Sequence, residues 1–177
     1  MDQRDSVDRH VAQWIGQLPY LDPRVEAIVT RMQRIVQHVL RRKSVALAAH
    51  GLKQWEYELL HELRRRGHPY RATPTDVAGV LGIPATTMTS RLDRAEHAGL
   101  VTRALDPTDR RRLLVQLTPA GCTAWENAMA EQDSMEKELI GALSEAEQDA
   151  LAALLRTVML EVDAGTARHR SGPRGHR

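Results

Sequence analysis

Residues 73–121 leave the chain the least freedom: TPTDVAGVLGIPATTMTSRLDRAEHAGLVTRALDPTDRRRLLVQLTPAG. Thr73 stands where an N-cap accepts backbone N–H bonds, Pro74 suits the first helical position, and Asp76 occupies the place of a capping-box acid. Val77, Ala78, Val80 and Leu81 give this short helix an apolar side, and Gly82 stops it. After the turn at Ile83-Pro84, a second helix is expected over residues 85–98, with Gly99 just beyond its end. Met88, Leu92 and Ala95 share one face. Thr86, Thr87, Thr89, Ser90, Arg91 and Arg94 occupy the remainder, mostly its first half. Two short helices joined by a tight turn, the second polar and basic at its start, describe a helix-turn-helix.

Residues 100–105 and 112–117 then read as two strands rich in Leu and Val. Between them lies Asp106-Pro107-Thr108-Asp109-Arg110-Arg111, a turn-forming loop that ends in cations. A hairpin directly after a recognition helix is a wing. A helix in the major groove with an arginine-tipped wing in the minor groove is one coherent way to hold duplex DNA. The competing reading is a solvated arginine cluster beside an ordinary two-helix corner. The order and spacing of the features favour DNA.

Charge supports a local interface rather than a basic body. The formal net charge is +2, yet the last residues from Ala164 contain four arginines and no acid, leaving 21 basic against 23 acidic residues elsewhere. Within residues 86–112, however, six arginines face four acids. DNA affinity therefore has to come from clustering. The chain has no Phe and only 3% aromatic residues, so its core must be built from Leu, Val, Ile, Ala and Met, which favours helices.

Helical spacing extends on both sides. Val7, Val11, Trp14, Ile15 and Leu18 mark an amphipathic helix over about 6–17, broken at Pro19-Tyr20-Leu21. Asp22-Pro23 restarts a long helix, whose stripe runs from Val25 through Leu40 and whose end is expected near Ala49-Gly51. Trp55, Leu59, Leu60 and Leu63 mark a third helix, closed by Arg64, Arg65 and Arg66, where cations suit the macrodipole. The triplet reads as a solvated helix end rather than a phosphate contact. Residues 69–72 can add a short strand beside the wing. Thr118-Pro119 and the box Ser144-Glu145-Ala146-Glu147 open two further helices. The terminal helices carry more apolar surface than a small winged module needs.

The segments LDRAEHAGLVTR, DPTDRRR and LVQLTPAG resemble, in order and without gaps, the winged helix-turn-helix of the MarR family of bacterial transcriptional regulators. The resemblance covers about residues 6–163. It implies a mainly α fold with a small β wing, and a homodimer interlocked through its N- and C-terminal helices. It also implies Arg111 in the minor groove, Asp109 orienting the wing, and Arg110 on phosphate. The expected organisation is N-terminal helices for dimerisation and ligand (1–52), a winged DNA-binding lobe (53–118), C-terminal dimerisation helices (119–163) and a disordered basic tail (164–177).

Within that family the chain is similar to the urate-responsive regulators, which add an N-terminal helix bearing a Trp. Trp14 matches that residue, Arg91 in TSRLDR the recognition-helix Arg, and Arg103 in GLVTR the strand Arg. The subgroup's acid after a Trp is Glu56, one methylene longer than the usual Asp. The resemblance implies a small anionic effector, urate or xanthine, with Arg103 supplying charge, Trp14 a flat partner, and Glu56 displaced by the anion. The alternative effectors are phenolic or aromatic carboxylates, or oxidation at Cys122, against which stands a packed, unreactive thiol.

No cofactor is expected. His10, His38, His50, His61, His68 and His97 lack paired ligand spacing, so no metal is expected. No Ser/His/Asp order, phosphate loop or carboxylate pair argues for an enzyme. One cysteine fits a reducing cytoplasm, and no secretory segment or bilayer-length apolar run is apparent.

Overall fold

The computed structural model describes residues 4–18 and 20–170. The break expected at Pro19 and the end of the tail, 171–177, lie outside the described residues. Elements follow in the order α1 (Ser6–Ile15), α2 (Pro23–Ala49), α3 (Gln54–Arg65), β1 (Arg71–Ala72), α4 (Pro74–Leu81), α5 (Ala85–His97), β2 (Val101–Leu105), β3 (Leu113–Leu117), α6 (Pro119–Ile140) and α7 (Glu145–Arg170). The class is mainly α with a small antiparallel sheet, in the order β1-β3-β2.

Local chemistry accounts for most of the boundaries. Asp22 Oδ1 accepts the N–H groups of Arg24 and Val25 at the start of α2. Thr73 Oγ1 accepts the N–H of Asp76 at 3.2 Å and donates to its carboxylate at 2.7 Å, starting α4. Gly82 ends it in the left-handed region, at φ +63°, where a side chain would strain the turn. Ser144 and Glu147 form the box that opens α7, with the Ser144 N–H donating to the carboxylate at 2.8 Å. Near the N-terminus, Asp5 caps α1 and also accepts from Arg31 on α2 at 2.9 Å, so a stretch that looks merely polar is tied down.

The core forms where α3, α4, α5 and the sheet converge. Leu60, Leu63, Val77, Ala95 and Val115 have no exposed surface, and Leu59, Met88 and Leu92 almost none. Burying each large side chain contributes about 1.5–3 kcal/mol. Leu47 and Leu52 from before the winged module, and Ala128 from after it, belong to this same cluster. The expected boundaries at 52 and 118 are therefore not boundaries of packing. The chain divides instead into one compact unit ending at Asp133 and another beginning at Ser134, within α6.

The tail expectation also needs correction. The backbone of α7 runs helical through Gly165 to Arg170 rather than loosening from residue 164. A helix already nucleated adds each further turn at little cost, even where its composition lacks periodicity.

A candidate nucleic-acid interface

Helix α5 is held by Met88, Leu92 and Ala95, all buried, and this sets which of its residues face outward. Thr86, Thr89, Ser90 and Arg94 are exposed, while Thr87 and Arg91 are half-buried along one flank. Thr89 donates its hydroxyl to Ala85 O at 3.1 Å, and Ser90 donates to Thr87 O at 3.1 Å. The Thr89 hydroxyl keeps its acceptor lone pairs for an incoming donor, while Ser90 Oγ also accepts from Arg94 Nη2 at 3.5 Å. The N-cap of α5 is Pro84, which supplies no side-chain cap, so the first turn points backbone N–H groups outward toward any anion.

The wing follows at once. Strands β2 and β3 pair from Val101↔Leu117 to Leu105↔Leu113. The loop closes through Asp106 N–H to Arg112 O and Arg112 N–H to Asp109 O, both at 2.9 Å. Asp106 accepts from the N–H of Thr108 at 2.8 Å and from its hydroxyl at 2.7 Å. These bonds hold the Asp106 carboxyl below the usual carboxylate range. Asp109 accepts the N–H of Arg111 at 3.0 Å. The acids thus shape the loop through local bonds, and Arg110, Arg111 and Arg112 stand exposed at its tip.

The residues matched to the urate-responsive subgroup occupy different settings. Trp14 is 41% exposed on α1 and meets His10 edge to face, with ring centroids 6.2 Å apart. The two line a pocket of about 300 Å³ together with Leu18, Leu21 and Glu26, and His10 Nε2 lies 3.4 Å from Glu26. Arg103, Glu56 and Arg91 are not among its walls. Arg103 is paired: its guanidinium reaches Glu96 at 2.6 Å and Asp93 at 2.8 Å. Hydrogen bonding to Arg103 lowers the Glu96 carboxyl pKa, and the same partners raise that of Arg103. Glu56 is buried, and its carboxylate accepts the Lys53 N–H at 2.8 Å, capping the start of α3. Arg91 lies over the Trp55 ring, 5.7 Å from its centroid.

Several partners were not legible from spacing. Glu96 and Asp93, which hold Arg103, sit on α5 at positions that look like an ordinary solvated face. Glu62 is almost wholly buried and binds both Arg65 and Arg66 at 2.9 Å. Arg64 instead bonds Glu126 at 2.7 Å and covers Tyr70. The triplet is therefore a structural ion cluster rather than a solvated helix end. Its one sequence signal was Glu62, placed three and four residues before two of the cations. Cys122 is partly buried against the core at the end of the first turn of α6. Among the described residues no cluster of His, Cys, Asp or Glu is placed to hold a metal, and no helix is long and apolar enough to cross a membrane.

A helix-turn-helix, a three-stranded wing and an outward face of hydroxyls and arginines define the winged class of DNA-binding protein. Residues 50–112 match the MarR family. The transcriptional regulator PecS of Dickeya dadantii is 33% identical over 148 residues, which span 84% of this chain and 89% of that protein. The chain belongs to the MarR family and is a DNA-binding transcriptional regulator. Among solved structures, a mutant of MarR from E. coli is 26% identical with a TM-score of 0.58, covering 72% of this chain and 95% of that one. A Staphylococcus aureus MepR mutant bound to an oligodeoxyribonucleotide shares the fold at 24% identity, with a TM-score of 0.59, covering 76% of this chain and 97% of that one.

Proposed function

We propose that the protein is a homodimeric repressor, released from a pseudo-palindromic operator by urate or a related small anion such as xanthine. The observation that carries the DNA half is the exposed face of α5 beside the arginine-tipped wing. Thr86, Thr87, Thr89, Ser90, Arg91 and Arg94 meet base edges and nearby phosphates, Arg110 meets phosphate, and Arg111 enters the minor groove on a loop shaped by Asp109. Two such modules related by a dyad read half-sites one helical turn, ~10 bp, apart. The MepR structure with its oligodeoxyribonucleotide lends support, since that protein shares the fold.

The effector half rests on Arg103. Its two carboxylate partners both lie on α5, so the pair joins the strand leading to the wing to the helix that reads DNA. An anion that takes Arg103 from Glu96 and Asp93 frees two negative charges on α5 and loosens that joint. Glu56 acts in the same direction: a nearby anion repels it, and its departure uncaps α3 beside Trp55. Trp14 supplies the flat partner, which requires α1 to approach Arg103 in the liganded state. Coupling of this kind amounts to about 1–3 kcal/mol.

The test is a titration of urate, xanthine and salicylate against the complex with the DNA upstream of its own gene, in wild type and in Arg103→Ala. Urate should release the wild type at concentrations that leave Arg103→Ala bound. Release by salicylate alone replaces the urate reading with an aromatic carboxylate one. Failure to bind duplex DNA at all overturns the operator reading.

A further inference from the structure

We propose that Trp55 is a positioning residue for DNA reading, seating the guanidinium groups of both Arg91 and Arg94 against the first turn of α3. The inference rests on the reading that α5 contacts DNA. Arg94 Cζ lies 5.0 Å and Arg91 Cζ 5.7 Å from the centroid of the Trp55 ring. Both fall within the ~6 Å over which a cation is drawn to an indole face. The two arginines are three residues apart, so they emerge on the same flank of α5.

The seat itself is fixed. Trp55 is half-buried and packed against the core, and α3 behind it is anchored by Leu59, Leu60 and Leu63. Arg94 is held at a second point, where its Nε donates to Ser90 O at 3.1 Å. A guanidinium stacks through its face and donates hydrogen bonds in its plane. Seating it on an indole therefore leaves in-plane N–H groups available to phosphate or guanine. An unseated arginine on an exposed helix samples many rotamers, and ordering it on binding opposes affinity. Trp55 removes part of that cost beforehand and aims the two cations together. Helix α3 thereby helps decide what α5 reads, although no residue of α3 was placed in the interface by its sequence.

A double-mutant cycle tests the role on the full-length protein. The probes are a duplex enriched by the wild type from a random-sequence pool and a scrambled duplex of equal length. Trp55→Leu should weaken binding to the enriched duplex by roughly tenfold, with a smaller loss on the scrambled one. Trp55→Phe, which keeps a ring face, should recover most of it. In an Arg91→Ala/Arg94→Ala background, Trp55→Leu should cost nothing further. Thermal melting of each variant checks the fold, and Trp55→Met replaces Trp55→Leu should the latter melt early. A full further loss in the arginine-free background, or equal binding by Trp55→Leu and wild type, overturns the proposal. If Arg91→Ala/Arg94→Ala binds the enriched duplex like wild type, the α5 contacts fail and the proposal with them. If the wild type enriches no duplex, the DNA reading fails at its root.

Discussion

Arg111 stands exposed on the wing loop, whereas Arg103, on the strand leading to that loop, is held by Glu96 and Asp93. On the DNA reading proposed above, the first charge is left for a partner outside the chain, and the second is committed inside it. This difference separates their expected phenotypes. Arg111→Ala should weaken operator binding by about 1–3 kcal/mol and lower the salt slope by about one counterion. Gel shifts over a series of salt concentrations measure both, and unchanged affinity at every salt concentration would remove Arg111 from the interface. The ion cluster around Glu62 carries the complementary lesson. Arginines in a row at a helix end read as a solvated terminus, yet two of these three neutralise one buried carboxylate.

Among the elements, α1 docks on α2 through polar bonds as much as through Val7 and Val11. Arg31 on α2 bonds Asp5 at 2.9 Å and Asp8 at 2.6 Å, and Arg34 donates to Ser6 at 2.6 Å. Hydrogen bonding to Arg31 lowers the Asp5 carboxyl from 3.8 to about 2. A depressed carboxylate stabilises above its unfolded pKa and loses that contribution as pH falls through the folded one. The Asp5 clasp should be complete above about pH 4 and lost as pH falls through about 2. Amide exchange in α1, compared between wild type and Asp5→Asn, should differ near neutrality and converge at the acid end. A difference that persists at the acid end would mean the clasp is not electrostatic. A second joint lies where α6 begins. A Cβ built at Gly121 would meet Leu100 O at 2.1 Å, so no side chain fits without moving the backbone. Gly121→Ala should therefore destabilise by about 1–3 kcal/mol, read as a lowered denaturation midpoint. A midpoint equal to wild type would show that α6 can shift freely.

For the whole molecule, the pattern of exposure matters more than any single contact. Ile28, Ile35, Val36 and Leu40 are more than half or about half exposed along α2, and Leu154, Val158 and Met159 along α7. Rows of this length are rarely left to water in a monomer. The homodimer proposed above would place a second copy of the chain against these surfaces. Val158→Asp, which buries a charge if that surface is an interface, should shift sedimentation toward monomer and abolish operator binding together. A variant that stays dimeric and bound would place the interface elsewhere.

The winged module was legible in the sequence because its signals are local. Thr73, Pro74 and Gly82 act on backbone groups within a turn of themselves, and the spacing of Met88, Leu92 and Ala95 states which side of α5 is buried. The hairpin follows from two short apolar runs around a loop of Asp, Pro and Arg. Only the tertiary structure decided what each charged side chain faces. Arg103 is claimed by two acids of α5, and Trp55 receives two arginines from another helix. Those pairings depend on the angle and distance at which α3, α5 and β2 meet. Periodicity reports which face is apolar and is silent on that geometry, because many packings bury the same stripe and each brings different polar edges together.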